Sequence, residues 1–507
     1  MMYILSQAQI QAADAFTIQH QRILSIDLMD CVAELLFHRL YPITEQRSAY
    51  VFCGVGNNGG DGIALATLLH KAARKVQVFV IGNPDKGSSD FQIQHQRALQ
   101  AGVHLTFVNL LADLPTHLTA HDLIIDALLG TGTNRPVEGF LRDCISWINA
   151  QVAPTHSIDI PSGLFADTMP QPSAVVIEAQ KTYTLACPKL SSMFGSNHRY
   201  YGEVELIDIG WPDEVWSLFQ SKYHFLSLYD VRSVYQPRTA NVSKHDLGFA
   251  QLFVGSKGKA GAAILSAAAC LRGGCGLTSI TLPSAIEGMV QIAVPEAMCS
   301  SDTESEVLRN FTIHPRATAI GVGPGIGYES HTQQGFASLL KQSQLPMVLD
   351  ADAINILSDN LSLLQYLGGK AILTPHQREF DRLFGASENE WERLQVAIEN
   401  AQKYQLHILL KGMISAIVMP SGEVYFSRFG NASLAKGGSG DVLTGILTSL
   451  VASGYSLPHA AILGVFLLGY SAEKSVQNNA MESVVASEII ENIGQAFLFL
   501  QAAARNG

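Results

Sequence analysis

Tyr50-Val-Phe-Cys-Gly-Val-Gly-Asn-Asn-Gly-Gly-Asp-Gly62 joins a short apolar run to a glycine-rich loop. The segment after it, Gly62 to Arg74, carries Ile63, Leu65, Leu68 and Leu69 near helical spacing. A strand that turns through glycines into a helix is the opening unit of a parallel α/β sheet. Glycines let backbone N–H groups turn toward a ligand, and the helix N-terminus adds partial positive charge, a setting suited to a phosphate. The run contains G-x-G-x-x-G at Gly54, Gly56 and Gly59. A dinucleotide dehydrogenase also wants an acidic residue at the end of the second strand, about 20 residues on. Here that strand ends Ile81-Gly82-Asn83, which disfavours such an enzyme. Asn57, Asn58 and Asp61 among the glycines offer oxygen ligands as well as donors. The alternative is a tight turn that uses Asn and Asp for left-handed backbone positions.

Outward from this stretch, Val76 to Ile81, Leu123 to Leu128 and His156 to Ile160 read as further strands, alternating with helical segments. The second half has the same alternation. Ala250 to Val254, Ala319 to Val322, Met347 to Asp350, Ala371 to Leu373 and Ile408 to Leu410 read as buried strands. Ala260 to Leu271 and Asp441 to Val451 read as helices between or after them. Gly210-Trp211-Pro212 closes the first block, and the polar segment Tyr235 to His245 precedes the first strand of the next. The expected division is residues 1–225 and 226–507. Each block is expected to be an α/β domain: the first a Rossmann-like, doubly wound three-layer domain, the second of a different α/β kind.

Two further loops of the first half leave strand ends, Asp126 to Arg135 and Asp159-Ile-Pro-Ser-Gly163. Strand carboxyl ends of an open α/β sheet face one crevice, so Asn58, Asp126, Asp159 and Ser162 are expected to converge. A carboxylate, an amide oxygen and a hydroxyl are hard donors of low total charge, better suited to a monovalent cation than to zinc. Helix capping is the other reading of either aspartate taken alone.

Gly430-Asn-Ala-Ser-Leu-Ala-Lys-Gly-Gly-Ser-Gly-Asp441 stands before an apolar helix. Its glycine turn aims N–H groups at whatever precedes the helix, a hole fit for a transferring phosphoryl group, with Asp441 placed to take a hydroxyl proton. No G-x-x-x-x-G-K-[ST] occurs, which excludes a P-loop mechanism by pattern. Asp441 as a favourable charge at a helix start is the plainer alternative. Companion loops leave strand ends at Gly321 to Gly327, Asp350 to Asn355, Thr374-Pro-His376 and Lys411 to Ser415.

The chain has 507 residues, 47% hydrophobic and 15% charged, with 43 glycines, which fits a multi-domain α/β enzyme and not a disordered chain. Its formal charge of −11 would repel a polyanion, so nucleic acid is not an expected partner. The seven cysteines are scattered, with no C-x-x-C pair or zinc spacing, and are expected to be reduced thiols of a cytoplasmic protein. The N-terminus has no basic region followed by an apolar core, so no signal peptide is expected. The apolar run Ala460 to Ala472 is too short for a bilayer, so no membrane association is expected.

In order and spacing, NNGGDG (57–62), GTGTNRPVEG (130–139) and SIDIPSGLFADT (157–168) resemble the epimerase domain of the bifunctional NAD(P)H-hydrate repair enzymes. GSKGKAGAA (255–263), GVGPGIG (321–327), VLDADAIN (348–355), LTPH (373–376) and GGSGD (437–441) resemble their dehydratase domain, a ribokinase-like fold. The resemblance implies potassium at Asn58, Asp126 and Ser162. It implies that Asn57, Asn58, Gly59, Gly60 and Asp61 hold hydrated NADH or NADPH, together with Gly130, Thr131, Gly132 and Thr133. Asn134, Arg135, Pro136 and Asp159 complete that set, with Asp159 the candidate acid/base. In the second domain it implies that Ala262, Gly325, His376 and Asp441 contact the hydrate. Lys411, Gly412, Met413, Ile414, Ser415 and Gly440 would contact ADP or ATP, carried with Mg²⁺. The sequence departs from the family's pattern across Thr182 to Gly195. The implied activity is interconversion of the R and S hydrates and nucleotide-dependent dehydration of the S form, by a homo-oligomer. The rival expectation is a ribokinase-group kinase of small alcohols with a non-catalytic N-terminal binding domain.

Overall fold

Strands β1 (Ser48–Cys53), β2 (Val76–Ile81), β3 (Leu105–Val108), β4 (Asp122–Ala127), β5 (Thr155–Ile158), β6 (Lys181–Leu185) and β7 (Glu203–Ile207) form a parallel sheet. Their spatial order is β3-β2-β1-β4-β5-β6-β7. Side chains alternate across each strand. Val51, Val78, Leu123 and Ile125 thus join one buried cluster, and Phe52, Phe79, Ile81 and Ile124 another. Burial on both faces is what makes these strands read as continuous apolar runs. In the computed structural model, which describes residues 2–302 and 306–504, the chain divides into two compact units between Tyr223 and His224.

The strand order of the first unit reverses at β1, whose neighbours are β2 and β4. Such a switch point opens a crevice at the strand carboxyl ends. The loops after Cys53 and Ala127, which are register partners, flank it. Helices α1 (Gln7–Gln21), α2 (Ser25–Leu40), α3 (Asn57–Lys71), α4 (Ser89–Gln100) and α5 (Gly139–Asn149) belong to this unit.

The second unit carries β8 (Phe249–Phe253), β9 (Leu277–Pro283), β10 (Met298–Asp302), β11 (Ala319–Val322), β12 (Met347–Leu349) and β13 (Ala371–Leu373). They are followed by β14 (His407–Leu410), β15 (Ser415–Val418) and β16 (Val424–Ser427). From residue 249 onward the order is β16-β15-β14-β13-β12-β11-β8-β9-β10, parallel from β10 to β14 and antiparallel beyond. Its switch point is β8, between β9 and β11. Helices α6 (Ala260–Arg272), α7 (Asp352–Asp359), α8 (Gln377–Phe384) and α9 (Ser439–Ala452) follow strands of this sheet, and α10 (Leu457–Ser475) comes directly after α9. Helices α6 and α9 touch closely: a Cβ on Gly445 would lie 2.2 Å from the Ser266 carbonyl oxygen.

Both units are therefore α/β. Strands β3, β6, β7, β9, β10, β15 and β16 stand beyond those read from the sequence. No helix among the described residues is long and apolar enough to cross a membrane. The seven cysteines are free thiols.

Candidate active sites

The glycine loop of the first unit works by close approach. Gly54, Gly56 and Gly59 all have negative φ, as do Asn57, Asn58 and Asp61, so the left-handed turn does not form. A Cβ on Gly54 would lie 2.0 Å from the Leu128 carbonyl oxygen, and one on Gly59 1.9 Å from that of Gly54. Asn57 to Asp61 are already inside α3. Packing so tight draws α3 onto β1 and β4 and leaves its N-terminus facing the crevice.

That crevice is a cavity of ≈ 980 Å³. Asn57, Asn58, Asp61, the loop from Gly130 to Pro136 and Asp159 line it. Gly59 and Gly60 do not: Gly59 packs on Gly54, and Gly60 faces the Met29 side chain and Phe91. Asp159 sits at the end of β5 with φ +66° and is 8% exposed. Lys189, 1% exposed, places Nζ 2.7 Å from Asp159 Oδ1 and also donates to the carbonyls of Leu185 and Cys187. Sequence reasoning missed this lysine. Its only signal is that it lies within Thr182 to Gly195, the stretch that departs from the motif.

Beneath the cavity floor Asp126 is fully buried, and burial pushes its carboxyl up against the pull of its hydrogen bonds. It accepts from the Ser162 hydroxyl (2.6 Å) and amide (2.9 Å), the Ser157 hydroxyl (2.8 Å) and the Leu128 amide (3.2 Å). Asn58 donates Nδ2 to the carbonyls of Leu129 (2.9 Å) and Ile158 (3.3 Å), while its buried Oδ1 has no partner. The Leu129 carbonyl also accepts from the Ser162 hydroxyl at 3.2 Å and so links Asn58 to the Asp126 group, and an orphaned amide oxygen there is a hard donor of the kind a monovalent cation takes. No group of three or more His, Cys, Asp or Glu among the described residues is placed to hold a metal ion.

In the second unit the glycine turn before α9 has Gly438 at φ +99°, and the Ser439 hydroxyl closes the loop onto the Leu434 and Lys436 carbonyls. Asp441, half-buried in the first turn of α9, is pushed up to about 6 by burial and then by the charge of Asp350, with Lys411 opposing. Buried Asp350 accepts from Lys411 Nζ (2.7 Å), the Thr444 hydroxyl (3.0 Å) and the Ala351 amide (2.9 Å). A Cβ on Gly440 would lie 3.3 Å from Asp350 Oδ2 and 3.5 Å from Lys411 Nζ. Lys411, Gly440 and Asp441 thus meet around Asp350, a residue that sequence reasoning placed only in a companion loop.

His376 caps α8: its Nδ1 accepts from the amides of Arg378 (3.1 Å) and Glu379 (3.2 Å). Its backbone pairs with that of Lys411, and Glu379 Oε2 lies 3.9 Å from Lys411 Nζ. Ala262 and Gly325 meet, since a Cβ on Gly325 would lie 3.2 Å from that of Ala262. Gly412, Met413 and Ile414 form the turn between β14 and antiparallel β15, with the Met413 side chain exposed, and Ser415 opens β15. Lys259 pairs with Asp352 at 3.0 Å beside Gly325.

Two α/β units, each with aspartates and glycine-turned helix N-termini at the carboxyl ends of its strands, define a two-site enzyme. Residues 25–191 match the family described as YjeF-related protein N-terminus, and residues 250–495 match the NAD(P)H-hydrate dehydratase family. A bifunctional NAD(P)H-hydrate repair enzyme from Moorella thermoacetica is 31% identical over 97% of this chain and 96% of its own. One from Salinibacter ruber is 31% identical over 97% and 95%. A ribokinase-like superfamily protein from Enterococcus faecalis superposes with a TM-score of 0.50 at 25% identity, covering 56% of this chain and 97% of its own. The chain belongs to the bifunctional NAD(P)H-hydrate repair enzymes, with an epimerase domain followed by a ribokinase-like dehydratase domain.

Proposed function

We propose that the first unit interconverts the R and S hydrates of NADH and NADPH and that the second dehydrates the S form, with ADP or ATP as phosphoryl donor. The observation that carries this reading is the aspartate at each strand-end site: Asp159 paired with Lys189 in the first cavity, and Asp441 with its raised carboxyl pKa at the glycine turn of the second.

In the first unit the N-terminus of α3 and the loop from Gly130 to Pro136 hold the nucleotide, and Asp159, oriented by Lys189, exchanges protons at the hydroxyl-bearing carbon. Asn58 Oδ1, with Ser162 and Asp126 behind it, would hold potassium. The bound ion supplies fixed positive charge at the cavity floor. In the second unit Asp441 takes the hydroxyl proton of the hydrate as the amides of Gly437 to Gly440 receive the phosphoryl charge. The hydroxyl becomes a phosphate ester; phosphate then leaves with its bonding pair, the neighbouring carbon gives up a proton, and the ring double bond returns. Ala262, Gly325 and His376 border the hydrate, and the loop Lys411 to Ser415 borders the adenine nucleotide. Asp350 and Glu379, around Lys411, are hard oxygen donors of the kind that Mg²⁺ takes, and the ion supplies charge neutralisation at the donor phosphates.

The purified R hydrate incubated without nucleotide is expected to become a mixture of R and S. Addition of ADP or ATP with Mg²⁺ is expected to restore the near-ultraviolet absorbance of the reduced nicotinamide. Phosphorylation of a small alcohol with no recovery of reduced nicotinamide would overturn the reading in favour of a kinase.

A further inference from the structure

We propose that Asp61 is a second catalytic residue of the first unit, the acid that protonates the hydroxyl leaving the hydrate, while Asp159 takes the proton of the water that returns. The proposal rests on the epimerase reading and deepens it.

The carboxylates around the cavity are not alike. Asp14 accepts from the Trp211 indole at 2.9 Å, and Asp90 from the Ser25 hydroxyl at 2.5 Å. Asp159 has the Lys189 ammonium and the Leu185 amide, at 2.7 and 3.3 Å. Asp61, 8% exposed and lining the cavity from α3, accepts no hydrogen bond from any described residue. Burial drives its carboxyl well above the usual range, and the charges of Asp159, Asp14 and Asp90 drive it further. The other charged groups bordering the same cavity are Lys189, Arg135 and Glu138. A buried carboxyl with no donor favours the neutral acid, ready to give up a proton. Asp159, which borders the same cavity and is held by an ammonium and an amide, is placed to be its partner base.

The substrate's chemistry needs such a pair. An enamine double bond takes its proton at the carbon remote from nitrogen, so water adds its hydroxyl at the carbon bonded to the ring nitrogen. To invert that carbon, Asp61 gives its proton to the hydroxyl. The C–O bond breaks with its electron pair going to oxygen, water leaves, and the nitrogen lone pair makes a planar iminium carbon. A second water then attacks the opposite face, forms the new C–O bond and gives its proton to Asp159. One water is released and one consumed, with no change of oxidation state. Return of the proton from Asp159 to Asp61 through solvent completes the cycle, and the reverse inversion exchanges the two roles.

The test uses the full chain, both pure hydrates and ¹⁸O-labelled water, with epimers separated by chromatography and the uncatalysed rate subtracted. Asp61→Asn is expected to lower epimerisation kcat by about 10²–10⁴-fold with little change in KM, and Asp61→Glu to restore part of it. Dehydration of the S hydrate by the same preparations, together with their melting curves, reports folding. Wild-type activity is expected to fall as pH rises through the Asp61 proton, with that limb displaced in Asp61→Glu. Each inversion is expected to place one labelled oxygen in the product. A folded Asp61→Asn variant that epimerises within a few-fold of wild type, an undisplaced limb in Asp61→Glu, or inversion without label would overturn the assignment. Wild-type protein that leaves the R hydrate unchanged would instead overturn the epimerase reading itself.

Discussion

Replacing Lys189 by Met removes the cation 2.7 Å from Asp159 and leaves a carboxylate that is 8% exposed without its counter-charge. Breaking a buried pair by deleting one partner costs about 3–5 kcal/mol. The denaturant midpoint of the first unit is therefore expected to fall, with epimerisation falling alongside; an unchanged midpoint contradicts the pairing. Asp441 carries a pH prediction. Its carboxyl, pushed up to about 6, accepts a proton only when ionised, so dehydration kcat/KM is full above that pH and lost as pH drops through it. A profile flat through that pH contradicts its role as base. Asp159 and Asp441 are legible as candidates because each belongs to a motif with its own backbone logic, Asp159 at the start of Asp-Ile-Pro-Ser-Gly and Asp441 at the end of Gly-Gly-Ser-Gly-Asp. Lys189 is not: it meets Asp159 only because parallel β5 and β6 bring residues 30 apart to one sheet edge, a register that no local pattern contains.

Gly54, Gly56 and Gly59 look equivalent in the sequence and are not equivalent in the fold. A Cβ on Gly59 meets the Gly54 carbonyl at 1.9 Å, while one on Gly56, at φ −88°, meets nothing within 4 Å. Gly59→Ala is expected to cost about 1–3 kcal/mol or more by forcing α3 off the strand ends. Gly56→Ala is expected to stay within about 0.5 kcal/mol. Thermal melts of the two variants check this, and equal losses contradict it. The strand-turn-helix at residues 48–71 is legible because both faces of β1 are buried and its glycines follow at once. Strands β6 and β7 are less so: Lys181, Thr182, Thr184, Glu203 and Glu205 interrupt their apolar patterns at the side of the sheet where β7 is the last strand. The same holds for β10, whose Met298, Ser300 and Ser301 are exposed.

At the scale of the molecule, likeness to the bifunctional repair enzymes runs through 97% of the chain, across two units that divide at Tyr223–His224. A shaped pocket favours one configuration, so a dehydratase acting alone would strand the other epimer, and an epimerase in the same chain removes that loss. The central claim is that two separate sites treat one damaged coenzyme in succession, and it is tested most directly by giving the R hydrate, with ADP or ATP and Mg²⁺, to three proteins. Wild type is expected to regenerate reduced nicotinamide. Asp441→Asn is expected to regenerate none while still mixing the epimers, and Asp159→Asn to regenerate it from the S hydrate but not, beyond the uncatalysed rate, from the R hydrate. Loss of both activities in either folded variant, or recovery from the R hydrate at the wild-type rate in Asp159→Asn, would contradict the account.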